Sequence, residues 1–144
     1  MKQVRVLLAT LLVCFMMMPF VACADGRPIP VEQLPTGAKT FVQNNFPDLK
    51  IIYAEKDGFT FEARLSNGSE LEFDRKGNWT KVDCNFEAVP AAIVPEFIST
   101  YVNSTFPEAK ITQIKIERRG YEVELSNDID LAFTKNGQLL KMDD

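Results

Sequence analysis

Two hydrophobic periods alternate along this chain, and the alternation occurs twice. Ala38, Phe41, Val42 and Phe46 fall at i, i+3, i+4 and i+8, the apolar stripe of an amphipathic helix. Phe97, Ile98, Tyr101, Val102 and Phe106 draw the same stripe again. Pro35 and Pro95 suit helix starts, where a missing N–H costs nothing. Pro47 and Pro107 end the helices, because proline disfavours helical geometry in the preceding residue and cannot donate to the previous turn. Behind each of these prolines the period shortens to two. The runs KIIYAE, FTFEARL, ELEFD and NWTKVD are answered by KITQIKI, GYEVEL, IDLAF and QLLKMD. Alternation of this kind marks strands with one buried face. Asn67-Gly68 is a strong two-residue hairpin signal, and Asn127-Asp128 is its weaker copy.

The two halves are one unit duplicated. Residues 30–83 align with 90–143 at a constant offset of 60, and 17 of the 54 pairs are identical, far more than random pairing gives. NFPDLKI at 45–51 returns as TFPEAKI at 105–111. This motif reads as a helix-to-strand corner, in which Phe46 or Phe106 anchors the helix end, proline stops it and Lys-Ile opens a strand. Residues 28–84 and 88–144 are the predicted repeats, each one helix followed by a four-stranded antiparallel meander. A unit of about 55 residues has little core of its own, so the two sheets are expected to join into one of about eight strands. The predicted class is α+β, with the helices on one face of the joined sheet.

The chain's beginning reads as an export signal. Lys2 and Arg5 precede the apolar run VLLATLLVCFMMM, and Ala22-Cys23-Ala24 offers a cleavage site. Residues 1–24 are therefore expected to be a signal peptide and the protein to be periplasmic or secreted. Cys23, after Phe20-Val21-Ala22, leaves lipidation open as the alternative, which would make an envelope lipoprotein. Of the three cysteines only Cys84 then remains as a free thiol, so no intrachain disulfide holds the fold. The whole chain carries a net charge of −4, and loss of Lys2 and Arg5 takes it to −6. Such an acidic chain has no general attraction for nucleic acid, and it meets the membrane only if Cys23 is lipidated. It has no histidine, which excludes Ser-His-Asp triads, Cys-His dyads and H-E-x-x-H zinc sites.

If Phe61, Leu65, Leu71 and Phe73 face the helices, the opposite face of the sheet follows by alternation. It carries Glu62, Arg64, Glu70, Glu72 and Asp74, with Glu122, Glu124, Asp128 and Asp130 from the second repeat. In the fourth strands, Thr80, Val82, Leu140 and Met142 are expected inward, and Trp79, Lys81, Leu139 and Lys141 outward. Tryptophan on such a face is an interface signal; the alternative is that Trp79 packs over neighbouring strands. Glu62 and Glu122 recur across the repeat, but no nucleophile or pocket accompanies them, so no catalytic residue is expected. Asp74–Asn78 resembles a calcium loop only in part, since Thr134 replaces Asp74 in the second copy; no metal and no cofactor are expected.

Taken together, the export signal and two copies of the pattern P…P…[FY]-V-x-x-x-F-P-[DE]-x-K-I … [FY]-E-x-x-L-S-N … L-x-F-[DT]-x-x-G-x-[WL]-x-K resemble the PepSY-like family of small exported bacterial proteins. The resemblance spans about residues 28–143 and implies a fold like that of the β-lactamase inhibitor protein. It also implies binding or restraint of peptidases outside the cytoplasm, the inhibitor's sheet clamping its target on a concave face. This chain departs from the inhibitor in lacking paired cysteines, and no inhibitory loop carries over residue by residue. The expected function is a non-catalytic exported module that binds another protein through the open sheet face, as an inhibitor or regulator of an extracytoplasmic peptidase or hydrolase. The candidate contacts are Trp79, Leu139, Glu62, Arg64, Glu72, Lys81, Glu122 and Glu124. The alternatives are a small-ligand or peptide site between the repeats, or a lipid-anchored structural accessory.

Overall fold

A computed structural model describes residues 26–144. The expected signal peptide and Cys23 lie outside the described residues. The chain forms β1 (Arg27–Pro28), a 3-10 turn (Val31–Gln33), α1 (Thr36–Asn45), β2 (Ile51–Asp57), β3 (Thr60–Leu65), β4 (Glu70–Phe73) and β5 (Trp79–Asp83). The second half forms α2 (Glu96–Thr105), β6 (Ile111–Glu117), β7 (Gly120–Leu125), β8 (Asp130–Thr134) and β9 (Leu139–Asp143). One sheet runs β1 to β9 in sequence order, every neighbour antiparallel. The expected eight strands are joined by β1, which pairs Arg27 and Pro28 with Lys56 and Glu55 of β2.

The corners are built as the prolines require. Pro35 and Pro95 are the N-caps, and the Pro35 and Pro95 carbonyls accept the first helical N–H groups. At the far ends Phe46 N–H donates to the Val42 carbonyl and Phe106 N–H to that of Val102. Both chains then leave helical geometry, at φ −135° and −130°. Each corner is tied to a hairpin: Lys50 N–H donates to Ser66 Oγ at 3.1 Å, and Lys110 N–H to Ser126 Oγ at 2.9 Å. In those hairpins Gly68 and Asp128 take φ of +88° and +63°, which glycine and aspartate tolerate better than most residues.

A single row of apolar residues crosses eight strands and explains why the repeats share a core. Ala54, Ala63, Leu71, Val82, Ile114, Val123, Leu131 and Met142 stand opposite one another in turn. The first seven are at most 2% exposed. Phe73, two residues from Leu71 and so on the same face, meets Phe41 of α1 edge-on at 5.7 Å. Phe133, likewise placed relative to Leu131, meets Tyr101 of α2 at 5.4 Å. Both helices therefore cover the same face of the sheet. Cys84, just after β5, belongs to this core, and burial pushes its thiol pKa up.

Two of the interface candidates lie on the helix side, which corrects their expected placement. A β-bulge between Glu72 and Phe73 pairs Glu72 with Lys81 but Phe73 with Trp79, so that Thr80 is the extra residue. The bulge reverses the phase of the strand, and Trp79 turns inward beside Phe73. Its ring lies 6.3 Å from that of Phe41. The second repeat has the same bulge: Ala132 pairs with Lys141, Phe133 with Leu139, and Leu139 packs against the core. Val82 is inward as expected. Leu140 and Met142, expected inward, are more than half exposed: Leu140 is the extra residue of the bulge, and Met142 stands on the edge strand of the sheet.

Candidate binding face

The face away from the helices is a lattice of charge set by strand register. One row reads Glu55, Glu62, Glu72, Lys81, Lys115, Glu122, Ala132 and Lys141 from β2 to β9. The row beside it reads Tyr53, Arg64, Glu70, Asp83, Gln113, Glu124, Asp130 and Asp143. Glu62, Arg64, Glu72, Lys81, Glu122 and Glu124 thus lie together on the open face. Trp79 and Leu139 do not. Asp74 and Asp128, also expected on the face, sit instead in the turns after β4 and β7.

Neighbouring charges hold one another in place. Arg64 Nη2 lies 3.0 Å from Glu70 Oε1 and 3.8 Å from Glu62 Oε1, while its guanidinium stands over the Tyr53 ring at 5.4 Å. The Tyr53 hydroxyl donates to Glu55 Oε2 at 2.8 Å, a bond that raises the phenol's pKa. Glu62 is hemmed between Glu55 and Glu72. Burial pushes its pKa up, Glu55 and Glu70 push it further, and Arg64 opposes them. Burial also raises Glu124, with Asp130 and Asp83 adding to the effect and Lys81 opposing it.

The middle of the face differs from its ends. Lys81 and Lys115 stand directly opposite across β5 and β6, the joint between the repeats. Like charges so placed repel. Each has an acid two residues along its own strand: Lys81 Nζ is 3.8 Å from Asp83 Oδ2, and Lys115 Nζ is 2.8 Å from Glu117 Oε1. Glu72 and Glu122 flank the pair in the same row. A twin-lysine centre between acidic flanks suits recognition of a protein surface of opposite pattern, through electrostatic complementarity that favours one register of docking.

Tyr53, Glu55, Asp83, Gln113 and Lys115 join this face without having been singled out in the sequence. Register shifts between Ile51 and Tyr53 in β2, and between Ile111 and Gln113 in β6, interrupt the alternation that would have found four of them. On the opposite side, Phe41, Trp79 and Ile116 border a cleft between α1 and β6 of the second repeat.

The family model described as "Putative beta-lactamase-inhibitor-like, PepSY-like" matches residues 22–68 and 59–141. A solved Bacteroides thetaiotaomicron structure, described as a "putative calcium-regulated periplasmic protein", is 39% identical with a TM-score of 0.79, covering 83% of this chain and 98% of that one. A "putative periplasmic protein" of Bacteroides vulgatus is 38% identical with a TM-score of 0.79, covering 85% and 99%. A second protein from Bacteroides vulgatus, also described as periplasmic, is 32% identical with a TM-score of 0.78, covering 83% and 99%. No curated protein matches the chain. With the family model matching nearly all of the described residues and the fold shared with these relatives over nearly their whole length, the chain belongs to the PepSY-like, β-lactamase-inhibitor-like family.

Proposed function

We propose that the open face of this periplasmic protein docks onto another exported protein and restrains it, as an inhibitor or regulator of an extracytoplasmic peptidase or hydrolase. The protein has a non-catalytic, exported binding fold. What supports the proposed restraint of a partner is the charge lattice of the open face, centred on Lys81 and Lys115 and flanked by Glu62, Glu72, Glu122 and Glu124. A partner would present basic groups to the flanks and an acidic group to the centre.

Calcium regulation, the description given to the Bacteroides thetaiotaomicron relative, does not suit the residues of this chain. Asp74, the one acid of its partial calcium loop, is already engaged. Its Oδ1 accepts from Lys76 N–H at 2.8 Å and Asn78 N–H at 2.9 Å, and its Oδ2 from Asn78 Nδ2 at 3.0 Å. Among the described residues, no three acids or thiols are grouped to hold a metal ion.

The test is capture from periplasmic extract on immobilised protein, run beside Lys81→Glu/Lys115→Glu and Glu62→Ala. One recovered hydrolase, lost with the charge-reversed face and slowed in its own assay by the wild-type protein, is the expected result. Equal recovery on the reversed face would sink the reading. The Phe41–Trp79–Ile116 cleft favours a second reading, a small apolar ligand or peptide held between the repeats. A ligand there would shift the fluorescence of Trp79, the chain's sole tryptophan, whatever the open face carries.

A further inference from the structure

The core row that crosses the sheet stops abruptly at one residue. Ala54 through Leu131 are at most 2% exposed, and Met142, next in the row, is 53% exposed. Its repeat counterpart Val82 is fully buried, because β6 lies against β5, whereas none of the described residues lies against the outer edge of β9. The other end of the sheet is treated differently. There β1 covers the outer edge of β2 at Glu55 and Lys56, so among the described residues one edge of the sheet is blocked and the β9 edge is open.

The backbone of β9 is set to pair. At the internal joint Cys84 N–H donates to the Thr112 carbonyl, and the register continues through Asp83 with Gln113 to Val82 with Ile114. Alternate residues of an antiparallel strand bond to the same neighbour, so Val82 and Cys84 direct their backbone groups toward β6. The two repeats carry the same turn bond, Asp74 N–H to the Asn78 carbonyl and Thr134 N–H to the Gln138 carbonyl, and the same bulge. By this correspondence Met142 and Asp144 direct their N–H and C=O groups outward at the free edge. An open edge of this kind is a template for another strand.

We propose that β9 pairs with β9 of a second copy of this chain, antiparallel about a two-fold axis at Met142. Outward backbone groups must meet outward groups, which restricts a two-fold pair to centres on residues such as Leu140, Lys141, Met142 or Asp143. A centre on Lys141 sets lysine against lysine, and one on Asp143 sets aspartate against aspartate. A centre on Leu140 sets Lys141 against Leu139. Only the Met142 centre brings each Lys141 opposite the other copy's Asp143, extending the ion pair that Lys141 and Asp143 already make within β9. Met142 then meets its twin on the helix side, completing the interrupted core row. The axis runs perpendicular to the sheet, so the helices of both copies share one face and the two open faces become continuous.

The experiment is sedimentation equilibrium of residues 25–144, which contain every helix and strand described above, between about 1 μM and about 1 mM. The wild type is expected to dimerise in this range. Lys141→Asp and Asp143→Lys should each raise the dimer dissociation constant at least about tenfold, since each turns two attractive cross-strand pairs into repulsive ones. The double variant Lys141→Asp/Asp143→Lys restores the pairing and should restore the dimer. Circular dichroism of each variant checks that the monomer is folded. A chain monomeric throughout, a dimer indifferent to the single reversals, or a double reversal that fails to restore it would overturn the proposal. None of these outcomes bears on docking at the open face, whose test uses Lys81 and Lys115.

Discussion

Trp79 stands opposite Phe73 across β4 and β5, and Phe41 of α1 packs against both rings. The indole packs against the core beneath Phe41, midway along α1. Trp79→Ala would leave its place empty, with Phe41 losing one of its two aromatic neighbours. The expected cost is about 3 kcal/mol, at the low end for such truncations because the ring is only partly buried. Urea unfolding of the variant measures it. A loss below about 1 kcal/mol, ordinary for surface substitutions, would contradict this packing.

The misplacement of Trp79 shows where reading a sequence by period stops. Prolines and the 3.6-residue stripe are local signals, and α1, α2 and both corners follow from them. Glu62, Arg64, Glu72, Glu122 and Glu124 were legible because alternation in β3, β4 and β7 is unbroken around them. NWTKVD also alternates, but Thr80 is inserted against β4, and an extra residue reverses everything on its far side. Nothing in the composition of the run marks that insertion. It arises where the Asp74–Asn78 turn has to rejoin the ladder. β1 was equally hidden, since two residues carry no period and pair only because β2 offers an edge.

Glu62 should make stability depend on pH in a particular direction. Its folded pKa is raised, first by burial and then by Glu55 and Glu70. The folded state therefore binds this proton more readily than the unfolded chain. Stability from this group is highest in acid and declines as pH rises from the ordinary glutamate value through the folded one. Glu62→Gln removes the titration, so the variant should gain on the wild type across that window and hold the advantage at neutral pH. Arg64 keeps its 3.0 Å contact with Glu70 in the variant. Paired urea melts across the window test this; a difference constant with pH would exclude Glu62 as its source.

Asp74 has the opposite sign. Hydrogen bonds from the Asn78 side chain and from the turn's backbone hold its pKa below the ordinary aspartate value. Its contribution is fully present above the unfolded pKa and is lost as pH falls through the folded one. Asp74→Ala should cost about 1 kcal/mol at neutral pH, whereas Asp74→Asn, which keeps an accepting oxygen for Lys76 and Asn78, should cost less. Because those bonds occupy the carboxylate, adding calcium should leave the wild-type melting temperature unchanged. A calcium-dependent rise that Asp74→Ala abolishes would mean that the turn opens to take the ion.

Gly77 and Gly137 occupy equivalent turns at almost the same φ, +86° and +89°, yet their replacement should not cost the same. Any side chain at either position is strained by the left-handed backbone, by about 1 kcal/mol or more for alanine. At Gly77 an added Cβ would also lie 2.9 Å from Pro35 Cβ and 3.0 Å from the Ala38 nitrogen, the backbone that starts α1. At Gly137 the nearest atoms would be those of the Phe97 side chain, at 3.1 Å or more, and a ring can shift where a helix start cannot. Gly137→Ala is therefore expected to cost about 1–2 kcal/mol and Gly77→Ala about 1 kcal/mol more, with the excess lifting α1 from the β4–β5 turn. Denaturant unfolding gives both costs, and Trp79 fluorescence reports the lifted helix because Phe41 packs on that ring. Equal costs would mean that the helix start yields as readily as the phenylalanine.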